Sequence, residues 1–421
     1  MAVKVLHINY YDNWTGSGIA ANRLHKALLQ HSIDSRMLVM QKDSDDQTVI
    51  LSPLYARALA FCTQRISAQI LRLQKSSNIS PHSLNLFPNF LMKEIHSIRP
   101  DLIHLHWFGG EMFSIGQIPQ IPYPLVWTLH DCWGFCGTEH YMDPFHGDNR
   151  FESGYTRESR PAADHGLDLD RWIWQKKVSK WKDLNITFAA PSAWMGKMLE
   201  KSALWNGRCC HTVANCLDVE QFAPGDRSSV RKQLNIPEDK KVILFGAQST
   251  SHPLKGMNLL REALKILPEK EKYLLISYGG NDKEEYWSDC GISRIHAGLI
   301  REPEKIIDLY QAADVFVCPS LVDNFPNTVL EAAACGMPVT AFRTGGLPEM
   351  ILHRESGFLC PSGESSALAE GIVYCLENRE RLSGAARDLV LKRCSPAVAA
   401  QQYIKIYEDA LAGKKNGAEK G

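Results

Sequence analysis

Short β-branched runs alternate with helix-periodic stretches along the whole chain, and that alternation limits the fold more than any other feature. VKVLHIN is followed by IAANRLHKALLQHS and SRMLVM, and later by DLIHLHW, PLVWTLHD and ITFAAPS. Strands separated by helices imply parallel βαβ units, because a parallel partner is reached only through a crossover. The same texture restarts at KKVILFGAQ and continues through YLLISYGG, SRIHAGL, DVFVCPS and MPVTAF. The fold class is therefore expected to be α/β, with two Rossmann-like, doubly wound domains. A chain of 421 residues suits two such cores better than one. The intervening TVANCLDVEQFAPGDRSSVRKQLNIPEDKK is aperiodic and punctuated by Asn215, Pro224, Gly225 and Pro237. The hinge is placed at Asn215 to Asp218, giving domains 1–215 and 216–395, with a helix over 396–413 expected to return to the first.

Formal net charge is zero, which disfavours the clustered cationic surface that nucleic acid requires. The N-terminus enters a strand without a basic and then apolar leader pattern, and no run of about 18 apolar residues is present, so a cytoplasmic location is expected. The 12 cysteines fit reduced thiols; neither Cys132-x3-Cys136 nor the adjacent Cys209 and Cys210 has zinc-ribbon or thioredoxin spacing. Residues 141–170 are polar and aperiodic, which reads as a long functional or mobile loop. LYARALAFCTQRISAQILRLQK and LDRWIWQKKVSKWKDL read as basic amphipathic helices, either of which could lie on a membrane surface or pack on its own sheet.

Several stretches carry groups suited to chemistry. WTGSGIAANRL opens a helix with Gly16 and Gly18, a device that exposes backbone N–H groups to a phosphate or carboxylate; the turn before it is longer than a dinucleotide-binding turn. LFGAQSTSHPLKGMNLL repeats the strand-loop-helix plan with Lys255 and Gly256 at the helix entrance, a place for a dianionic group. In LVDNFPNTVLEAAACGMPVTAF a helix starts at Pro326 or Asn327, with Asp323 beside its first amides and Glu331 in its second turn. Asp323 could simply cap the helix, whereas Glu331 is a charge in an apolar helix, needs a partner, and the hydroxyls of a ribose would serve. WTLHDCWGFCGTEHY places His130 at the C-terminal end of a strand, with Asp131 and Trp133 behind it. Asp168 to Asp170 form a DxD tripeptide better explained as a helix cap before Arg171, and no metal is expected.

Together these residues resemble glycosyltransferase family 4, retaining nucleotide-sugar enzymes of the GT-B fold. The resemblance spans nearly the whole chain. Its strongest element is Asp323-x7-Glu331, similar to the family's E-x7-E motif, followed by EAAACGMPV and RTGGLPEMI, with PLKGMNLL, YQAADVFVCPS, VANCLD and TLHDCW in support. The nearest flavour is the bacterial exopolysaccharide, O-antigen or colanic-acid type. The resemblance implies two domains facing a central cleft. It implies that Gly18 approaches the donor phosphate, with Gly16 in the same loop, that His130 meets the transferred sugar and that Lys255 meets the diphosphate. Asp323 and the amides of Phe325 and Asn327 would meet the sugar, Glu331 the ribose, and Leu299 to Arg301 the base. Ala247 and Gln248 stand where relatives usually carry an arginine, a contact that Arg343 or His252 would have to supply. Relatives also often carry a cysteine cluster after the HD strand; the loop from Asp143 to Asp170 has none.

The expected activity is metal-independent, retaining transfer of a hexosyl group from a nucleotide-diphosphate sugar to a glycan or polyprenyl-linked glycan acceptor in surface polysaccharide synthesis. No cofactor is expected, and Lys255, Asp323 and His130 are the catalytic candidates. The acceptor would dock near Trp14, Trp107, Glu111 and His130, and peripheral membrane contact would accompany a lipid-linked acceptor. A GT-B-like epimerase and a silent sugar-nucleotide-binding scaffold are the alternatives. A nicotinamide enzyme would need an acid ending the second strand, where Asp43 comes only after Gln41 and Lys42.

Overall fold

The computed structural model describes residues 3–143, 147–249, 252–280 and 283–418. The chain divides into two compact units, Met1–Cys216 with Pro396–Gly421, and Leu217–Ser395.

The first unit contains strands β1 (Lys4–Ile8), β2 (Asp34–Val39), β3 (Val49–Leu51), β4 (Gln74–Lys75), β5 (Leu102–Leu105), β6 (Leu125–Thr128), β7 (His165–Gly166), β8 (Ile186–Ala190) and β9 (Cys210–Thr212). Seven of them make one sheet in the order β3-β2-β1-β5-β6-β8-β9, every pair parallel, while β4 and β7 form a small antiparallel ribbon. Crossovers include α1 (Thr15–Gln30), α2 (Leu54–Leu71), α3 (Met92–Ile98), α4 (Arg150–Ser153), α5 (Leu169–Trp181) and α6 (Ala193–Lys201). The runs read as strands in the sequence are all strands; β3 and β9, short strands at the sheet's edges, were too brief to register as periodic.

The second unit repeats the plan with β10 (Lys241–Ser249), β11 (Tyr273–Gly280), β12 (Ser293–His296), β13 (Val315–Cys318), β14 (Val339–Phe342) and β15 (Gly357–Cys360). Its order is β12-β11-β10-β13-β14-β15, again parallel throughout. Helices α7 (Arg227–Gln233), α8 (Met257–Lys265), α9 (Pro303–Ala312), α10 (Asn327–Ala334), α11 (Leu347–Met350), α12 (Ser365–Glu377) and α13 (Arg379–Cys394) complete it. The chain then returns to the first unit in α14 (Pro396–Ala418). Tyr403, Ile406 and Tyr407 of α14 pack with Val5, Leu24, Leu28, Leu102 and Val126, and the Tyr407 hydroxyl lies 2.8 Å from His104 Nδ1. Both sheets reverse direction of growth once, at β1/β5 and at β10/β13. In doubly wound sheets those are the places where ligands bind, at the carboxyl ends of the strands.

Two stretches are held down more firmly than their sequences suggest. Within 141–170, Arg150, Phe151 and Tyr155 are buried and β7 pairs with β4, while residues such as 156–158 are exposed. The stretch looks loop-like because its buried aromatic residues, Phe151 and Tyr155, are interspersed with charges and follow no hydrophobic period. One face of helix α5 packs within the first unit, where Lys177 and Trp181 are fully buried. The Lys177 ammonium donates to the carbonyls of Trp133, Cys136 and Gly137 and so ties down the loop after β6. The DxD tripeptide is also accounted for: Asp168 caps α5 by accepting from the Arg171 N–H at 3.2 Å. Asp170 is 1% exposed; it accepts from Thr138 and from Gln74 Nε2, and sits 3.5 Å from Arg150 Nη2.

Burial alone would raise the Asp170 carboxyl, but its bonds to His82, Thr138 and Gln74 hold it well below the usual range. Burial alone would lower His82, and Asp170 outweighs that and raises it. The stability supplied by Asp170 is thus complete above its unfolded pKa of ~3.9 and lost as pH falls through the depressed value. The share of His82 is complete below ~6.5 and lost as pH rises through its raised value. Asp170→Asn should destabilise the first unit by about 3 kcal/mol, as breaking a buried ionic network does, with the largest difference from wild type between roughly pH 4 and 6.5. Urea unfolding read by tryptophan fluorescence tests this, since only Trp287 lies in the second unit; an equal loss at all pH values would contradict it.

Candidate functional site

In the second unit, the loops after β10, β12 and β13 all leave the same edge of a parallel sheet, which brings Lys255, Arg301 and Asp323 to that edge. Lys255 and Asp323 follow the two strands that flank the topological switch. They meet: Lys255 Nζ donates to Asp323 Oδ2 at 2.6 Å. Burial alone would lower the Lys255 ammonium, but the charge and hydrogen bond of Asp323 prevail and raise its pKa, so the cation is kept. Asp323 is only 8% exposed.

Close backbone packing makes this contact possible. The loop after β13 is clamped on one side by the Leu321 N–H donating to the Leu254 carbonyl at 2.9 Å. On the other side the Gly346 N–H donates to the Asp323 carbonyl at 3.0 Å and the Thr344 hydroxyl to the Leu321 carbonyl at 2.9 Å. Gly256 has φ +66°, and a Cβ there would stand 1.9 Å from the Pro319 carbonyl oxygen; Gly345 has φ +55°, and a Cβ would stand 1.8 Å from that of Asp323. Both positions need glycine for conformation and for space.

Asp323 is followed by α10, whose N-cap is Pro326. Phe325 and Asn327 are buried at its start. Glu331 is 6% exposed, and the fold itself supplies a donor to it: the Tyr310 hydroxyl donates to Oε2 at 2.9 Å, and Tyr278 Oη lies 2.7 Å from Tyr310 Oη. The sequence left Glu331 without a partner of its own; this hydroxyl chain supplies one for Oε2 from within the fold. Tyr278 also fills the space above Gly246, where a Cβ would come within 2.1 Å of its ring. His252 caps the Pro253–Lys255 turn, accepting from the Leu254 N–H at 3.2 Å. Arg343 and Arg301 are exposed in the loops after β14 and β12.

The first unit holds the remaining candidates at its own carboxyl edge. Trp14 stands at the N-cap position of α1, with Gly16 and Gly18 in the first turn. Gly18 is buried, and a Cβ on it would lie 3.1 Å from the Tyr11 carbonyl oxygen; its smallness lets α1 pack on the loop after β1. Trp107, half-buried, stacks 6.4 Å from Tyr11 at 23°. His130 and Trp107 line one small cavity with His106, Asp131, Trp133 and His140. Burial pushes His130 down to about 4, against the pull of Asp131. Asp131 is itself held low by His140, whose Nδ1 lies 2.6 Å from Oδ2, burial notwithstanding. Glu111 is corrected: it is 3% exposed, Oε1 accepts from Ser67 at 2.6 Å and Oε2 from the Phe87 N–H at 2.9 Å. Its carboxylate fastens the loop after β5 to α2 and is not presented to an acceptor.

Among the described residues two groups have donor atoms close enough for a metal, His7 with His104 and His106, and His82 with Glu139 and Asp170. His104 already meets Tyr407 and Thr128 through its two nitrogens, and the second group is the buried ionic network described above.

Residues 226–388 match the family profile Glycosyl transferases group 1. The second unit is a glycosyl transferases group 1 domain. Glycosyl transfer is accordingly the class of reaction assigned to this chain. Across 343 residues the chain is 28% identical to D-inositol 3-phosphate glycosyltransferase of Saccharomonospora viridis, covering 76% of this chain and 72% of the relative. Sucrose-phosphate synthase of Thermosynechococcus elongatus superposes with a TM-score of 0.70 at 18% identity, over 98% of this chain and 100% of the other. Anabaena HepE, solved with UDP-glucose, gives 0.64 at 17%, over 96% and 99%. These likenesses show the GT-B fold.

Within the group 1 domain, Tyr310 and Tyr278 are the residues that the sequence did not single out. YQAADVFVCPS contains Tyr310, but nothing local reveals that its hydroxyl crosses from α9 to α10. Gly345→Ala should lower the stability of this domain by about 2 kcal/mol or more, because strained φ and a backbone collision combine. Gly363→Ala is the control, at φ +80° in open space, where only about 1 kcal/mol is expected. Thermal denaturation by circular dichroism compares the two; equal shifts would refute the packing role of Gly345.

Proposed function

We propose that this chain transfers a sugar, with retention of anomeric configuration, from a nucleotide-diphosphate sugar to a glycan or polyprenyl-linked glycan in surface polysaccharide synthesis. The observation that carries the reading is the Lys255–Asp323 ion pair at the switch point of the group 1 domain, beside the first turn of α10. A protonated ammonium and helix amides favour a diphosphate, and the UDP-glucose complex of the similarly folded HepE supports a nucleotide sugar. In the transfer, the bond from the anomeric carbon to the diphosphate breaks and one to an acceptor oxygen forms. The acceptor proton ends on the departing phosphate. Lys255 meets the charge that grows on the diphosphate, which is electrostatic preorganisation, and no metal is required for it. Asp323 holds a sugar hydroxyl, and Glu331, oriented by Tyr310, accepts from the ribose. His130 and the loops carrying Gly16, Gly18, Trp14 and Trp107 serve sugar and acceptor, and Arg301 the base.

An acceptor carried on lipid is supported by α2. This helix buries small residues, Ala56, Ala60, Thr63 and Ser67, and exposes large ones: Leu54 at 72%, Phe61 at 56% and Ile66 at 48%. From Leu54 to Lys75 there are four cations, Arg57, Arg65, Arg72 and Lys75, and no acid. An apolar face edged by cations complements an anionic lipid surface. Among the described residues no helix is long and apolar enough to cross a membrane.

Kinetics on nucleotide sugars first identified by thermal shift should separate the roles. Lys255→Ala should cut kcat by on the order of 10²-fold, with wild-type turnover unchanged by EDTA. Glu331→Gln and Tyr310→Phe should chiefly raise donor KM, by about 5- to 10-fold, as loss of a ground-state hydrogen bond does. Near-wild-type kcat in folded Lys255→Ala would remove the diphosphate site.

Flotation with phosphatidylglycerol vesicles should carry the protein at low salt and release it at high salt. Phe61→Ser with Ile66→Ser should abolish flotation while leaving the fold intact. Equal binding to neutral vesicles, or none at low salt, would leave α2 without a lipid role.

A further inference from the structure

Three imidazoles of the first unit are joined end to end. His130 Nε2 lies 3.0 Å from His106 Nδ1, and His106 Nε2 lies 3.0 Å from His7 Nδ1. The rings are stacked, with interplanar angles of 27° and 20°. His7 and His106 stand on the neighbouring strands β1 and the end of β5, and both are buried. At the inner end, His7 Nε2 is enclosed and meets no hydrogen-bond partner. Its neighbouring rings are engaged elsewhere, His25 with Ser35 and Thr48 and His104 with Tyr407 and Thr128.

Burial keeps His7 and His106 neutral, reinforced by the neighbouring rings, and His130 is pushed down to about 4. A neutral imidazole has one N–H and one lone pair, so the middle ring must donate at one nitrogen and accept at the other. Two directions are possible. If donation runs from His130 inward, the last proton falls on His7 Nε2, as an enclosed N–H without an acceptor. If it runs from His7 outward, that atom carries only a lone pair. Orphaned buried N–H groups are the rarer of the two defects.

We infer that the chain runs outward: His7 Nδ1–H donates to His106 Nε2, His106 Nδ1–H donates to His130 Nε2, and His130 therefore holds its proton on Nδ1. His7 and His106 are positioning residues that fix the tautomer of a histidine at the edge of the sheet. Resting on the reading that His130 meets the transferred sugar, the consequence is specific. His130 is neutral there with its proton on Nδ1, and its Nε2 is not offered as a base.

Long-range proton–nitrogen correlation spectra of the ligand-free, histidine-labelled full chain at pH 7 read the tautomer directly, with His130→Gln assigning the resonances. The expected result is a protonated-type shift at His130 Nδ1 and an unprotonated-type shift at Nε2. A proton on Nε2, or an imidazolium, overturns the inference. In His106→Leu, His130 should lose its fixed tautomer and move toward Nε2–H. His106→Asn, whose amide N–H replaces the Nδ1 donor, should restore Nδ1–H; an unchanged His130 in the leucine variant overturns the role of His106. Zinc added alone should leave all three rings unshifted, and coordination shifts at His7 and His106 would overturn the chain in favour of a metal site. Because no substrate enters the measurement, its failure is separable from failure of the transferase reading, which the kinetics test.

Discussion

Parallel pairing throughout the two large sheets is the constraint on which the rest depends. Parallel strands need crossovers, crossovers cover both faces, and residues on the strands are then buried on both sides. Polar chemistry is left two places: the loops at the carboxyl edge, or the interior, where hydrogen bonds must hold it. The protein uses both. Lys255, Asp323 and His130 lie at carboxyl edges, and His7, His104 and His106 lie among the strands, where hydrogen bonds hold them.

The Lys255–Asp323 pair shows how such an edge is built. Two residues 68 apart in sequence meet because three loops pack backbone to backbone, and the approach is close enough that Gly256 and Gly345 admit no side chain. The same loops deliver the start of α10, so the ammonium, the carboxylate and the helix amides come from one packing event. Glu331 follows a turn later, and the Tyr278–Tyr310 hydroxyl chain fixes one of its oxygens. A charged group in an apolar helix is stabilised by that chain as a polar group buried with its hydrogen bonds made.

The first unit carries its charges deeper. Asp170, Arg150, His82 and Lys177 add buried polar ties to residues 133–170, beside the buried Phe135, Phe151 and Tyr155. Removing any one member leaves the others unmatched, which is why such networks are costly to break though their net contribution is modest. Beside them, α2 inverts the usual pattern by burying alanine, threonine and serine and exposing leucine, phenylalanine and isoleucine.

The sequence by itself determined the two parallel-sheet domains, because strand and helix periods are local properties that each segment carries alone. It also determined the placing of Lys255, Asp323 and His130 on loops after strands, since topology puts those loops at the carboxyl edge. Glycine beside Lys255 was legible as a helix entrance. Tertiary structure decided the rest. Glu111 looked like a loop acid ready for an acceptor, and only the fold shows Ser67 and the Phe87 amide taking both its oxygens. Glu331 looked unpartnered because Tyr310, on a different helix, contributes no signal to its neighbourhood in sequence. Whether the helix of Lys177 and Trp181 packs on its own sheet was open in the sequence, because a period reports which residues share a face and not what that face meets. HLH at the end of β5 already put His104 and His106 two residues apart, on one side of the extended chain. That His7 joins them depends on the register between β1 and β5, a pairing across nearly one hundred residues that no local pattern encodes.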